Sequence, residues 1–454
     1  MLRRNSCRCL TPVRLSSTTT PITQHSYIQE YLSDSSKEEI TKHLKNLGPF
    51  PTHSSILNPQ HFYQNAVLLD YLKRQPHLVS LQQLAGFGNA LTKQKVIDSA
   101  NFVRTELPIR LALRIRELQS LPFGVVNNYH IAQVYQSYYF TFNYLRKVPK
   151  IRTLDDNQRL CLKIASLLDG GVRNLSHLMM GALEVSISDA LGKDELDALM
   201  RNLLMSRMAR RMMLQQHVSI SNKKSAPHFI GEMLQECRPA EMLRSSMSDE
   251  RVPLQIDGDL ETRFRFMAPH LKYMFHEILR NSVEATIKTH STRTSKLLPP
   301  VKVTIVDLEK HVLFRISDQG GGIRHDKLKS IWSFGKLPDL ARKSLANFHR
   351  IPGLELYSNL KVTPAGSSIV TPQAQQVMQH TSLSESAGKK TSLDHLMARP
   401  LNYHLGMGLP MCSVYADYWN GSLTMNSLDG YGSDTSLTLR KLDNHSNIIR
   451  LDRA

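Results

Sequence analysis

Glu277 and Asn281 stand four residues apart in the run Glu277-Ile-Leu-Arg-Asn281-Ser-Val-Glu284-Ala-Thr. On a helix that spacing brings both side chains out on one face. The amide oxygen of Asn281 can ligate Mg²⁺ without adding charge, and the Glu277 carboxylate can accept a proton from an attacking hydroxyl or water. A second segment, Ser317-Asp318-Gln319-Gly320-Gly321-Gly322-Ile323, comes directly after a β-branched run. Asp318 then falls at a strand's end, where a carboxylate can accept the exocyclic amine of adenine. The glycines let the backbone turn sharply and approach a ligand. The third segment, His404-Leu405-Gly406-Met407-Gly408-Leu409-Pro410, leads into a helix. Glycines there leave backbone N–H groups open to phosphate, with the helix dipole adding attraction. Each segment alone has an ordinary reading, as a polar surface helix or a simple turn. Three in this order point to one nucleotide site.

Residues 26–220 read as long helices that could support such a site from outside. Val103, Leu107, Leu111, Leu113, Ile115 and Leu118 fall close to helical spacing, with Pro108 as an interruption. Leu196, Leu199, Leu203, Leu204, Met208, Met212 and Met213 form a second apolar stripe, which is core rather than a ligand box. The spacing predicts a helical bundle. A polar stretch over Ser221 to His228 marks a boundary, and residues 226–445 read as α/β. Strands are expected at Val301–Val306, Val312–Ser317 and Ser436–Leu439, and helices at Leu271–His290 and Leu409–Trp419. Between 336 and 400, repeated Ser, Thr, Gly, Pro and Gln suggest a long lid insertion.

The 454 residues suffice for two domains and a leader. Residues 1–25 carry Arg3, Arg4, Arg8 and Arg14, a Ser/Thr cluster and no acid, the composition of a mitochondrial transit peptide. No apolar run approaches the roughly 20 residues of a membrane-spanning helix. The five cysteines are scattered without zinc or redox spacing, so reduced thiols are expected. The net charge of +18 is spread along the chain rather than clustered, and no DNA- or RNA-binding motif accompanies it. General basicity, with attraction to an acidic partner, is the preferred reading.

The three segments resemble the N, G1 and G2 boxes of the ATP-binding superfamily of chaperones, gyrase and histidine kinases. More narrowly, Ile316-Ser-Asp-Gln-Gly-Gly-Gly-Ile, Leu405-Gly-Met-Gly-Leu-Pro-Met-Cys-Ser-Val-Tyr-Ala-Asp-Tyr and Asp429-Gly-Tyr-Gly-Ser-Asp434 resemble the mitochondrial pyruvate and branched-chain 2-oxoacid dehydrogenase kinases. Glu106-Leu-Pro-Ile-Arg-Leu-Ala and Ser206-Arg-Met-Ala-Arg-Arg-Met-Met-Leu-Gln-Gln-His217 are similar to that family's N-terminal bundle. The resemblance implies a helical bundle followed by a histidine-kinase-like (Bergerat) ATP-binding α/β sandwich, in the mitochondrial matrix. It implies a protein serine kinase using ATP and Mg²⁺, with Asn281 as metal ligand, Glu277 as general base and Asp318 as adenine contact. Gly320, Gly322, Gly406 and Gly408 would shape the nucleotide pocket together with Glu284, His404, Leu405, Met407 and Leu409. Ser433 stands where the family has a threonine. Implied partners are the decarboxylase α subunit of a 2-oxoacid dehydrogenase complex as substrate, lipoyl domains of its acyltransferase core for docking, and a second kinase subunit, as a homodimer or a heterodimer with a paralogue.

Departures from the family pattern are Glu284 in place of arginine, His404 in place of the first glycine, Tyr273 where some relatives have histidine, and Trp332-Ser-Phe-Gly-Lys-Leu-Pro338 without the lid's hydroxyl pair. His217 is read as a structural histidine rather than a phospho-acceptor, because no phosphorylation box surrounds it. Pyruvate dehydrogenase is the favoured target, with the branched-chain complex and a catalytically weak scaffold as alternatives. A direct histidine kinase and a gyrase- or chaperone-like ATPase fit less well.

Overall fold

The computed structural model describes residues 65–77, 79–81, 83–84, 91–170, 173–222, 234–246, 249, 251–291, 298–348, 350–351 and 392–442. The expected transit peptide, the start of the expected bundle and most of the expected lid insertion lie outside the described residues.

The helical half comprises α1 (Asn65–Leu72), α2 (Lys93–Gln119), α3 (Tyr129–Lys147), α4 (Leu154–Gly170), α5 (Arg173–Ser188) and α6 (Lys193–Ser221). Thr92 caps α2 by accepting the Lys95 N–H, and Asn128 caps α3 by accepting those of His130 and Ile131. The expected interruption at Pro108 does not occur: α2 runs through it. Pro108 removes one helical hydrogen bond, yet Val103, Leu107, Leu111, Ile115 and Leu118 on either side are all buried, and that packing holds the helix together. The predicted stripe on α6, Leu196 to Met213, is likewise buried. His217 is fully enclosed, its Nδ1 3.1 Å from Ser99 Oγ and its Nε2 3.6 Å from Cys161 Sγ. Burial lowers its pKa to about 4, which leaves a neutral core histidine.

The second half is mixed. β1 (Leu234–Cys237) pairs antiparallel with β3 (Phe264–Met267), and α7 (Pro239–Ser246) and β2 (Leu254–Gly258) lie between them in sequence. β3 runs directly into α8 (Ala268–Thr289). Then come β4 (Val301–Asp307), β5 (His311–Ser317), α9 (Pro338–Phe348), α10 (Ser392–Met397), α11 (Gly408–Tyr418), β6 (Ser422–Leu428) and β7 (Gly432–Arg440). The five-stranded sheet has the order β2-β4-β5-β7-β6, with β2 parallel to β4 and the other neighbours antiparallel. Val301, Val303, Ile305, Val312, Phe314, Ile316, Leu437 and Leu439 alternate along their strands and are all buried. Phe275 of α8 meets Phe314 edge-on at 4.9 Å, and Trp419 lies 5.5 Å from Phe266, closing the helix layer on this face.

Within the stretch expected to be a long loop, the described residues include α9 and α10. α9 buries Ala341, Ser344, Leu345 and Phe348, and α10 buries Leu393 and Leu396. The halves are joined by an Arg201–Asp417 ion pair of 2.6 Å, and by Asp197 of α6 accepting the Phe334 and Gly335 N–H groups at 2.6 and 3.2 Å. No helix among the described residues is long and apolar enough to cross a membrane.

Candidate functional site

Helix α8 is the element on which all three segments meet. Its buried residues include Leu271, Phe275, Ile278 and Leu279, with Phe275 meeting Phe314 of the sheet, and Pro269 in its first turn presets the backbone. Near its C-terminal end, a Cβ built on Gly320 would lie 2.5 Å from Ala285 Cβ, and Thr289 Oγ1 donates to the Gly320 carbonyl at 2.8 Å. Nearer its N-terminus, a Cβ on Gly408 would overlap the Glu277 carboxylate. Only glycine therefore fits at either contact. Glu277 and Ala285 are eight residues apart, ~12 Å along a helix rising 1.5 Å per residue. Asn281 lies between them, half-buried, and its side chain makes no hydrogen bond among the described residues.

Asp318 sits one residue beyond β5, as its position in the sequence implied. Its N–H donates to the Ser433 carbonyl at 3.0 Å, and its Oδ1 accepts the N–H groups of Gly320 at 2.9 Å and Ser433 at 3.3 Å. Ser282 of α8 adds a side-chain hydrogen bond. Burial raises the Asp318 pKa, while these hydrogen bonds and the neighbouring Asp434 act in opposite directions. The turn after it is stitched to the β6–β7 turn: Gly321 N–H donates to the Tyr431 carbonyl at 3.1 Å and Ile323 N–H to Ser427 Oγ at 2.6 Å. Gly321 and Gly322 have φ of 80° and 70°, left-handed values that favour glycine. A buried carboxylate held this rigidly can accept one further, well-aimed hydrogen bond.

Glu277 is not free. It is 1 % exposed, and Arg399, just after α10, grips both its oxygens at 2.7 and 2.8 Å. Arg399 also donates to the Leu396 and Tyr403 carbonyls. Burial opposes the Arg399 charge, but Glu277 outweighs it and leaves the guanidinium more basic than usual. Arg280 of α8 donates to the Arg399 and Pro400 carbonyls. Burial, with Arg399 nearby, brings the Arg280 pKa down to about 10. Both arginines thus bind the 396–403 strap to α8. In this arrangement Glu277 is engaged by Arg399 and shut off from solvent.

The residues of the third segment divide by exposure. Leu405 and Met407 are buried core, whereas Gly406 is exposed with φ of 68°, and Gly408 and Leu409 are half-buried at the start of α11. His404 Nε2 contacts Glu284 Oε1, so the two departures from the family pattern pair with each other. Tyr273 is buried and donates to Met411 Sδ at 3.5 Å, one turn before Glu277. Sequence reasoning missed Arg399 and Arg280, which carry no motif, and also Gly432. A Cβ on Gly432 would overlap the Asp318 carbonyl, and the quoted run Asp429 to Asp434 held that signal.

Comparison with known proteins places the chain in a family. A family model described as mitochondrial branched-chain alpha-ketoacid dehydrogenase kinase matches residues 78–234. The mitochondrial pyruvate dehydrogenase (acetyl-transferring) kinase 2 of Saccharomyces cerevisiae is 38% identical over 96% of each chain. The mitochondrial pyruvate dehydrogenase (acetyl-transferring) kinase of Arabidopsis thaliana is 26% identical over 80% of this chain and 90% of its own. Human isozyme 4 is 24% identical over 83% and 84%. Identity of that degree along nearly the whole of two chains means that this chain belongs to the mitochondrial pyruvate dehydrogenase kinase family.

Proposed function

We propose that the chain is a mitochondrial matrix protein serine kinase that phosphorylates the decarboxylase α subunit of the pyruvate dehydrogenase complex and thereby shuts the complex off. The observation that carries the reading is the convergence of both glycine segments on α8, Gly320 against Ala285 and Gly408 against Glu277, with Asn281 between. That spacing suits a nucleotide lying along α8, its base at Asp318 and its phosphates at Gly406 and Gly408, in a Bergerat-type arrangement. Residues 26–220 would form the bundle domain and 226–445 the ATP domain. Ser433 holds Asp318 in place, and Gly320 and Gly322 bring the backbone to the nucleotide. The N–H groups at the start of α11 orient the phosphates.

Asn281, half-buried and unbonded among the described residues, fits a Mg²⁺ ligand. When bound, the ion would neutralise charge on the phosphates. Glu277 would take the proton of the substrate serine once Arg399 releases it. The His404–Glu284 contact fastens the loop before α11 to α8. Docking on lipoyl domains and assembly with a second kinase subunit complete the proposal.

The grip of Arg399 on Glu277 favours one second reading, a catalytically weak member that acts on the complex mainly as a scaffold. The family model over 78–234 keeps the branched-chain complex as an alternative target. Phosphate transfer from labelled ATP to purified pyruvate and branched-chain complexes tests all three. Serine labelling of the pyruvate complex, abolished in Glu277→Gln and Asn281→Ala, is the expected result. Labelling of the branched-chain complex alone would change the target, and ATP binding without transfer would favour the scaffold.

A further inference from the structure

Lys336 lies between β5 and α9, where the helical half meets the sheet half. Its N–H donates to Ser186 Oγ of α5 at 3.3 Å. The two preceding N–H groups go to Asp197 of α6, so its backbone is fixed from the bundle side. The side chain runs across the glycine loop: a Cβ on Gly406 would stand 3.3 Å from Lys336 Cε and 3.9 Å from Cδ. Gly406 is exposed and two residues ahead of Gly408, the glycine that packs on Glu277. Lys336 is half-buried, and its ammonium makes no hydrogen bond or ion pair among the described residues. A cation kept out of water without a partner is an energetic liability in the nucleotide-free protein.

We propose that Lys336 binds the terminal phosphate of a nucleoside triphosphate whose base sits at Asp318. The inference rests on the nucleotide reading above. Base and phosphate ends are assigned by α8, since the Asp318 turn packs on Ser282 and Ala285 and the Gly408 loop on Glu277. Lys336 reaches the loop on the phosphate side, beside Gly406. There it offers a charged donor to the phosphate group farthest from the base, which a diphosphate lacks. Burial lowers its pKa to about 8, with Asp197 opposing and Lys193 reinforcing the shift. A phosphate dianion would supply a counter-charge in direct contact, which Asp197, acting without an ion pair, does not. Because α5 and α6 hold the Lys336 backbone, the bundle would sense which nucleotide is bound.

The test is calorimetric titration of the full chain with Mg-ATP and Mg-ADP, in wild type, Lys336→Met and Lys336→Arg. Loss of one charged hydrogen bond corresponds to on the order of 10- to 100-fold in affinity. Lys336→Met should weaken ATP by that factor and ADP by less than about 3-fold, while Lys336→Arg stays close to wild type for both. Equal weakening of ATP and ADP, no weakening of either, or the same ATP loss in Lys336→Arg as in Lys336→Met would overturn the assignment. A wild-type chain that binds neither nucleotide would instead sink the nucleotide reading, and this inference with it.

Discussion

The Glu277–Arg399 pair gives the sharpest prediction, because the two groups depend on each other unequally. Among the described residues the Glu277 carboxylate is hydrogen-bonded by Arg399 alone, whereas Arg399 keeps the Leu396 and Tyr403 carbonyls. Arg399→Met strands a buried carboxylate, a change that costs about 3–5 kcal/mol. Glu277→Gln leaves an amide oxygen facing Arg399 and should cost about 1–3 kcal/mol, the penalty for weakening a charged hydrogen bond. The double variant removes both charges, so its loss should fall short of the sum by ~2 kcal/mol. Urea unfolding of the four proteins, followed by tryptophan fluorescence, measures this coupling; Trp419 lies in the α8–α11 layer.

Acid provides an independent check on the same pair. In Arg399→Met the buried Glu277 carboxylate loses its counter-charge, so burial without a partner penalises its ionised form. That penalty is relieved when acid neutralises the carboxylate. The deficit of the variant relative to wild type should shrink from pH 7 towards pH 5. Additive single losses, with coupling below about 0.5 kcal/mol, or a deficit that ignores pH, would refute the reasoning.

Gly408→Ala should abolish phosphate transfer and lower the melting temperature, since the methyl overlaps Glu277. Gly406→Ala should be milder, about 1–2 kcal/mol of left-handed strain, because its nearest neighbours at 3.3 Å are Lys336 Cε and Ser344 Oγ; thermal melts compare the two. Lys336→Met should stabilise the nucleotide-free protein at pH 7. A lysine lowered to about 8 charges less readily folded than unfolded, so its penalty is full below pH 8 and fades towards 10.5; melting curves across that range should show the gain of the variant shrinking. Asp318→Asn should weaken ATP binding by roughly 10-fold or more, the scale of one lost charged hydrogen bond. Because burial raises the Asp318 pKa, wild-type ATP binding should fall on acidification at a higher pH than an ordinary aspartate near 3.9 would dictate, as nucleotide titrations would show.

How much of this was legible in the sequence depended on whether a feature repeats or has a fixed type. Strands β4 and β5 announce themselves through alternating Val, Ile and Phe, and the α6 stripe through its period. Glycines that approach another chain segment are marked by their type, so Gly320, Gly406 and Gly408 could be named in advance, and Asp318 by its place at the end of an expected strand. β1, β2 and β3, of four or five residues each, are too short to show a period, and β6 alternates with Ser and Asn. Pro108 misled because a local rule was overridden by burial on both sides of it. α9 hid in a polar stretch, although Pro338 at its start and Ala341, Leu345 and Phe348 along one face account for it afterwards.

Arg399 and Lys336 were illegible for a different reason. Arg399 has no periodic or motif context, and Lys336 lies in the run Trp332 to Pro338 that departs from the family pattern; the role of each comes from where a distant segment returns: Arg399 to α8, 122 residues earlier in the chain, Lys336 to the loop at Gly406. The structure gives the two cations opposite electrostatic situations. Arg399 is paired directly with Glu277, while Lys336 makes no ion pair among the described residues and has only the weaker influence of Asp197 against its burial. A bound triphosphate would reverse both, satisfying Lys336 and drawing Arg399 from Glu277 towards negative charge at Gly408. Lys336 would thereby favour nucleotide entry and Arg399 would delay proton transfer until entry is complete. On this basis Lys336→Met and Arg399→Met should differ in kind, the first impairing ATP affinity and the second stability.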